Sequence, residues 1–409
     1  MSMRCWSDMS SLKLSCSNIF LSRIGDPMRL FYSSTYALEL LSILRYHTPM
    51  ISPTSWTLYA TNEEAWSAML ADCAQAKKSI ALEQFIFTND EYGKKLIDIC
   101  AERAATGVTV RFLWDAAGSF SFFGSDIAKD LKKRGIELVF WKTLIPGYFK
   151  VPNFRSWYLR NHRRTLVIDE HIGYTGSICV SDRMKGWRDT NARFEGAVVR
   201  EMSNAFDRMW ARATEHTPLP PRVRIRDHEF RYVTNYPAPK RRHVYAELIE
   251  ALRSARKYVY ITTPYFVPTR RLARVIKLAA HRGVDVKIIL PERTDHYPTL
   301  DLAARSYFKT LLHSGARIFL YEGNVIHSKA VVIDGEWATV GSMNLDSASL
   351  LYNFEANIIT TNVKFVEELS AHFVRDMHGS REVRKDEWDK KFFTDKILFF
   401  AIRFIRKFL

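Results

Sequence analysis

Apolar and polar residues alternate with a period of two in short runs that recur along this chain, the signature of half-buried strands. Lys78 to Phe87 (KSIALEQFIF) and Lys257 to Phe266 (KYVYITTPYF) are two such runs, and each predicts a core strand. A helical stretch follows each run and ends alike, in Ala104-Ala105-Thr106-Gly107-Val108-Thr109-Val110-Arg111 and in Ala279-Ala280-His281-Arg282-Gly283-Val284-Asp285-Val286. The glycine caps the helix and a β-branched run begins the next strand. LKKRGIELVFW from Leu131 and LLHSGARIFLY from Leu311 repeat the sequence of helix end, turn and strand once more. Phe194-Glu195-Gly196-Ala197-Val198-Val199 and Phe354-Glu355-Ala356-Asn357-Ile358-Ile359 form a further matched pair.

The chain is therefore read as an internal duplication. Strands alternating with helices predict the α/β class: two pseudo-symmetric sandwich lobes, each a mixed sheet covered by helices. A pseudo-twofold between the lobes would bring equivalent segments to one shared active site. The expected divisions are an N-terminal extension over 1–50, a first lobe over 51–216 and a Pro-rich, basic linker over 217–243. A second lobe follows over 244–380, then a tail over 381–409. The first lobe also carries extra chain from Thr143 to Asn161, rich in aromatic and basic residues such as Tyr148, Phe149, Arg155 and Trp157.

The duplicated chemistry lies in His162-Arg163-Arg164-Thr165-Leu166-Val167-Ile168-Asp169 and His327-Ser328-Lys329-Ala330-Val331-Val332-Ile333-Asp334. Each copy reads His-x-(Lys/Arg)-x4-Asp, and each is followed by Gly-Ser 14 residues after its His, at Gly176-Ser177 and Gly341-Ser342. The β-branched runs place each motif on a strand, where residues i and i+2 share a face. His162 with Arg164, and His327 with Lys329, then point into one site. Asp169 and Asp334 complete the two motifs, but their odd spacing from the histidines directs them to a turn or a supporting bond. Paired imidazoles and paired cations suit phosphoryl transfer through a phosphohistidine: one His attacks phosphorus, the other protonates the departing oxygen, and the cations hold phosphate oxygens. Ser177, Ser342 and Asn344 are candidate donors to the phosphate, and Cys179 stands where Asn344 stands in the second half. Glu195 and Glu355 are candidates to orient the imidazoles through Nδ1.

Charge narrows the partner. Across 409 residues Lys and Arg number 60 against 44 Asp and Glu, a net charge of +16 that attracts polyanions, either nucleic acid or an anionic bilayer. Outside the aromatic insertion nothing marks a base-stacking platform, so nucleic acid is the less favoured partner. The five cysteines are scattered without CxxC spacing, which predicts reduced thiols, no structural metal and no cofactor. No apolar run is long enough to span a bilayer. Trp388 to Leu409 instead crowds Phe392, Phe393, Ile397, Phe400, Phe404, Ile405 and Phe408 beside Lys and Arg, as in a helix lying in the headgroup region. Met28 to Tyr46 has a fainter version of this pattern.

These motifs resemble the phospholipase D superfamily, marked by a paired HxKxxxxD signature. Within it the chain looks like the shorter bacterial cardiolipin synthases without transmembrane helices. Trp187-Arg188-Asp189-Thr190, Thr263-Pro264-Tyr265-Phe266, Trp337 to Asp346 and Asn353-Phe354-Glu355-Ala356-Asn357 carry the likeness further. The resemblance implies metal-independent transfer of a phosphatidyl group at an anionic phospholipid membrane, peripheral to the inner membrane on its cytoplasmic face. It implies His162 as nucleophile, His327 as general acid and base, and Arg164 and Lys329 as clamps on the phosphate. Two departures, Arg164 for Lys and Cys179 for an amide, leave the nucleophile open between the two histidines. Hydrolysis to phosphatidic acid and cleavage of nucleic acid remain the alternatives.

Overall fold

The computed structural model describes residues 54–141, 159–214, 220–221, 229–293 and 298–394. The first lobe runs β1 (Ser55–Thr61), α1 (Asn62–Ala74), β2 (Ser79–Gln84), α2 (Glu91–Ala105), β3 (Thr109–Asp115), α3 (Asp126–Lys133), β4 (Ile136–Trp141), β5 (Thr165–Ile168), β6 (Ile172–Gly176), β7 (Arg188–Glu195) and α4 (Ala197–Thr214). The second runs β8 (Phe230–Asn235), α5 (His243–Ser254), β9 (Tyr258–Thr262), α6 (Arg270–His281), β10 (Asp285–Pro291), α7 (Pro298–Arg305), α8 (Phe308–Leu312), β11 (Arg317–Tyr321) and β12 (Ala330–Ile333). It continues with β13 (Trp337–Gly341), α9 (Ser347–Leu351), β14 (Glu355–Thr360), α10 (Val363–His378), β15 (Ser380–Glu382) and α11 (Lys385–Thr394).

The duplication is complete at the level of topology. One sheet is ordered β1-β7-β6-β5-β2-β3-β4, the other β8-β14-β13-β12-β9-β10-β11-β15. In each, three strands are parallel (β2, β3, β4 and β9, β10, β11) and the motif strands β5 and β12 run antiparallel beside β2 and β9. The motif strands TLVI and AVVI are buried throughout, which explains their apolar, β-branched composition. Local signals fix the helix starts: Thr61 and Glu64 form a capping box at α1, and Asp90 caps α2 by accepting from Gly93 N at 3.1 Å.

Two cores lie within the lobes and a third joins them. Val167, Ala192 and Phe194 of the first sheet pack in one cluster with Val332, Val340 and Ile358 of the second, covered by Phe206 of α4 and Phe365 and Leu369 of α10. Each Val, Leu, Ile or Phe among them stabilises by about 1.5–3 kcal/mol when fully buried. The lobes are thus joined by an apolar interior.

Two expected divisions shift. The segment read as linker, 217–243, contains β8, which pairs with β14 at the edge of the second sheet. The segment read as tail, 381–409, begins inside the fold: β15 pairs with β11, and Trp388 of α11 is buried against Phe308 with ring centroids 4.8 Å apart. A tryptophan expected at a lipid surface is therefore core at this position. Residues 395–409 of the expected amphipathic helix, residues 1–50 and the aromatic stretch 142–158 lie outside the described residues.

Candidate active site

Both motifs meet at the junction of the lobes. His162 and Arg164 lie in the extended lead-in to β5 rather than on its ladder, and His327 and Lys329 lie in the lead-in to β12. Each lead-in crosses to the opposite lobe. His162 N donates to Phe354 O at 3.0 Å, and Phe354 N donates to Arg160 O at 2.9 Å. His327 N donates to Arg188 O at 2.8 Å, and Arg188 N donates to Val325 O at 3.0 Å. The pairing presents the i and i+2 side chains of each lead-in to the interface.

Within each motif the cation sits on its own histidine. Lys329 Nζ lies 3.0 Å from His327 Nε2 and donates to His327 O at 2.7 Å. Arg164 Nη2 lies 2.9 Å from His162 Nε2, and its Nη1 donates to His162 O at 3.1 Å. All four side chains are at least nine-tenths buried.

The other ring nitrogen is held from across the interface. His162 Nδ1 faces Glu355 Oε1 at 2.9 Å and Oε2 at 3.1 Å. His327 Nδ1 faces Asp189 Oδ2 at 3.2 Å. Both rings thus present N–H to a carboxylate and a lone pair at Nε2, the form that can attack or accept a proton. Each lobe orients the other lobe's histidine.

Glu195, expected in this role, is elsewhere. It is partly exposed at the far end of β7, 2.6 Å from Arg193 and 4.0 Å from His171. The register explains the error. Gly176 pairs with Asn191 and Gly341 with Asn357, so Asp189 is the counterpart of Glu355. Matching Phe194-Glu195 to Phe354-Glu355 is six residues out of step, because Glu195 ends β7 whereas Glu355 begins β14. Asp189 was visible in Trp187-Arg188-Asp189-Thr190, but only spatial pairing gives it a role.

The serines are also used differently from the expectation. Ser177 Oγ donates to Asp189 and Ser342 Oγ to Glu355, so both hydroxyls brace the orienting carboxylates rather than stand open to phosphate. The preceding glycines permit this. A Cβ on Gly176 would meet Thr190 O at 2.6 Å, and one on Gly341 would meet Ala356 O at 2.4 Å. Asn344 is buried, with its Oδ1 without a partner.

The comparisons follow this geometry. A family model described as cardiolipin synthase, PLD-like domain, matches residues 69–210 and 248–377, one block in each lobe. A probable cardiolipin synthase of Bacillus subtilis is 32% identical over 373 residues, spanning 87% of this chain and 72% of that protein. A cardiolipin synthase of Clostridium perfringens is 32% identical over 362 residues, spanning 83% and 74%. The chain belongs to the cardiolipin synthase family. Its likeness to the crystal structure of phosphatidylserine synthase from Haemophilus influenzae, TM-score 0.64 at 14% identity over 87% of this chain and 95% of that one, is one of fold.

In this family member the charges of the two half-sites interact. Burial, then Lys329, pulls His327 down to about 4, so its ring is neutral at physiological pH. Burial, then Arg164 of the other lobe, pulls Lys329 down to about 7. Burial alone would raise Asp189, but its bond to His327 and the nearby cations hold it below the usual carboxylate range. Burial pushes Glu355 well above that range, with Ser342 and Arg164 only partly opposing. The two carboxylates are alike in position and opposite in proton affinity.

Asp169 and Asp334, grouped with the catalytic residues by motif alone, stand at the far ends of β5 and β12. Five residues of extended chain put them roughly 16 Å from the cations. Asp169 accepts from the backbone N–H of Lys77, Lys78 and Ser79 at 2.7–2.8 Å, and Asp334 from Arg256, Lys257 and Tyr258 at 2.8–2.9 Å. Both occupy the left-handed region, φ 54° and 57°, where Asp is tolerated. Their work is to tie each motif strand to its neighbour. Among the described residues, no group of three or more His, Cys, Asp or Glu is placed to hold a metal ion.

Proposed function

We propose that this chain transfers a phosphatidyl group from one phospholipid to the hydroxyl of phosphatidylglycerol, or of another alcohol, and so makes cardiolipin. The observation that carries the reading is the crossed pair of His–cation–carboxylate sets. A donor phosphodiester entering between them draws the cations onto its nonbridging oxygens and releases both Nε2 atoms. His162 Nε2 attacks phosphorus, the bond to the headgroup oxygen breaks, and that alcohol leaves with a proton from His327. The incoming hydroxyl then gives its proton to His327, its oxygen bonds to phosphorus, and the phosphorus–nitrogen bond breaks. His327 takes the acid–base role because ionised Asp189 stabilises its imidazolium. Burial is the main cause of the depressed His327, but the phosphate also offsets the charges of Lys329 and Arg164 that add to it, which favours a protonated general acid.

The reading places the protein at an anionic phospholipid surface, peripheral to the inner membrane on its cytoplasmic face. The net charge of +16 and the basic, aromatic composition of 388–409 support it. Among the described residues no helix is long and apolar enough to cross a bilayer. The test is the full-length protein on phosphatidylglycerol vesicles, with products identified by mass spectrometry. Cardiolipin and free glycerol are the expected products. Phosphatidic acid as the main product would select hydrolysis, and no lipid product beside an active control would end the reading.

A further inference from the structure

Arg164 brings one more kind of donor to its half-site than Lys329 does, and the fold supplies one more acceptor. A single nitrogen, Nζ of Lys329, serves both His327 Nε2 and His327 O. Arg164 reaches the same two partners on His162 with Nη2 and Nη1, which leaves its Nε–H to be satisfied in a site with almost no solvent contact. That donor goes to Cys179 Sγ at 3.1 Å. Cys179 is fully buried. It also occupies a defined place: three residues after Gly176, as Asn344 stands three residues after Gly341 in the second half. Beneath the guanidinium, the ring of Phe85 lies 5.9 Å from Arg164 Cζ and meets the edge of His162 at 4.9 Å between centroids.

We infer that Cys179 is the positioning residue of Arg164, and that the two form a matched pair doing in one half-site what Lys329 does in the other. A planar guanidinium has a direction that an ammonium lacks. With Nε fixed on sulfur and one face over Phe85, the Nη1–Nη2 fork is aimed at the ring it serves. An asparagine at 179 is larger than cysteine and would have to be fitted into a fully buried space. A lysine at 164 would leave the space beside Cys179 unfilled. Two departures from the family pattern therefore compensate each other, and the first half-site is complete rather than degenerate. This inference rests on the proposed reading, in which Arg164 holds a nonbridging oxygen.

The test uses the full-length protein on phosphatidylglycerol vesicles, with kcat, KM and melting temperature measured for four variants. Cys179→Ala removes the acceptor and is expected to lower kcat about tenfold with KM nearly unchanged. Cys179→Ser restores an acceptor and stays within about threefold of the parent. Arg164→Lys alone loses about a hundredfold. Arg164→Lys combined with Cys179→Asn regains at least about tenfold of that loss, since both positions then carry the residue types of the second half-site. Equal activity of the Ala and Ser variants, or a double variant no more active than Arg164→Lys alone, would overturn the pairing. Should Arg164→Lys fail to fold, the Ala and Ser comparison decides alone. A parent protein that makes no lipid product sinks the transfer reading instead. In that case binding of inorganic phosphate by the same variants, followed by phosphorus NMR, carries the same expected order.

Discussion

The two half-sites share one backbone plan and differ in chemistry. In the first, His162 stands with Arg164 and Cys179 and is oriented by Glu355, a carboxylate that burial makes easy to protonate. In the second, His327 stands with Lys329 and is oriented by Asp189, a carboxylate held in its ionised form. A duplicated fold supplies two equivalent positions for imidazole, but the reaction needs one nucleophile and one acid–base group. The difference between the half-sites is what allows equal positions to take unequal roles. It also makes each lobe dependent on the other, because the orienting carboxylates cross the interface.

The largest effects come from the histidines. On natural phospholipid, His162→Ala and His327→Ala are each expected to lose about ten-thousand-fold in kcat. A donor with a nitrophenolate leaving group needs no proton, so it should recover His327→Ala by about a hundredfold in its first step and leave His162→Ala unchanged. Equal recovery by both variants would erase the division of roles. Next come the carboxylates. Asp189→Asn and Glu355→Gln are each expected to cost about a hundred- to a thousandfold in kcat with KM within about threefold. Glu195→Gln, on the half-exposed end of β7, should stay within about twofold. Steady-state kinetics on the three variants would expose the crossed arrangement as wrong if Glu195 mattered as much as Asp189.

A smaller effect separates the two cations. Lys329 holds its proton only up to about pH 7 in the fold, so kcat/KM should fall as pH rises through about 7. Lys329→Arg, which does not deprotonate, should move that limb upward even where it lowers the maximum. The stability sign is the reverse of a stabilising ion pair. The folded lysine binds its proton less tightly than the unfolded one, whose value is 10.5, so its contribution to stability rises between pH 7 and 10.5. Lys329→Met should therefore abolish transfer yet melt a few degrees higher at pH 7. The smallest effect on chemistry belongs to the motif aspartates. Asp169→Ala and Asp334→Ala should each lower stability by about 1–3 kcal/mol through three orphaned backbone N–H groups, with kcat of the folded fraction near that of the parent. Calorimetry beside kinetics separates the two readouts.

Much of this is legible in the sequence. The alternation in Lys78–Phe87 and Lys257–Phe266 marks β2 and β9, and the parity of i and i+2 correctly pairs each histidine with its cation. The odd spacing of Asp169 and Asp334 directs them away from the chemistry, where the structure places them. What local pattern cannot carry is contact between lobes. Nothing near Asp189 in sequence says that it faces His327, 138 residues away, and a glutamate beside a phenylalanine in both repeats offers a more tempting match. The lobe boundary was hidden for a related reason. β8 is a short edge strand whose partner, β14, comes over a hundred residues later.

The most direct measurement is a search for the covalent intermediate. His327→Ala is incubated with the nitrophenolate-leaving phosphatidyl donor, quenched in base, digested and analysed by peptide mass spectrometry. The expected result is a phosphatidyl adduct on the peptide that carries His162. An adduct on His327 in the His162→Ala protein, or none in either variant while the donor is consumed by the parent, would contradict it.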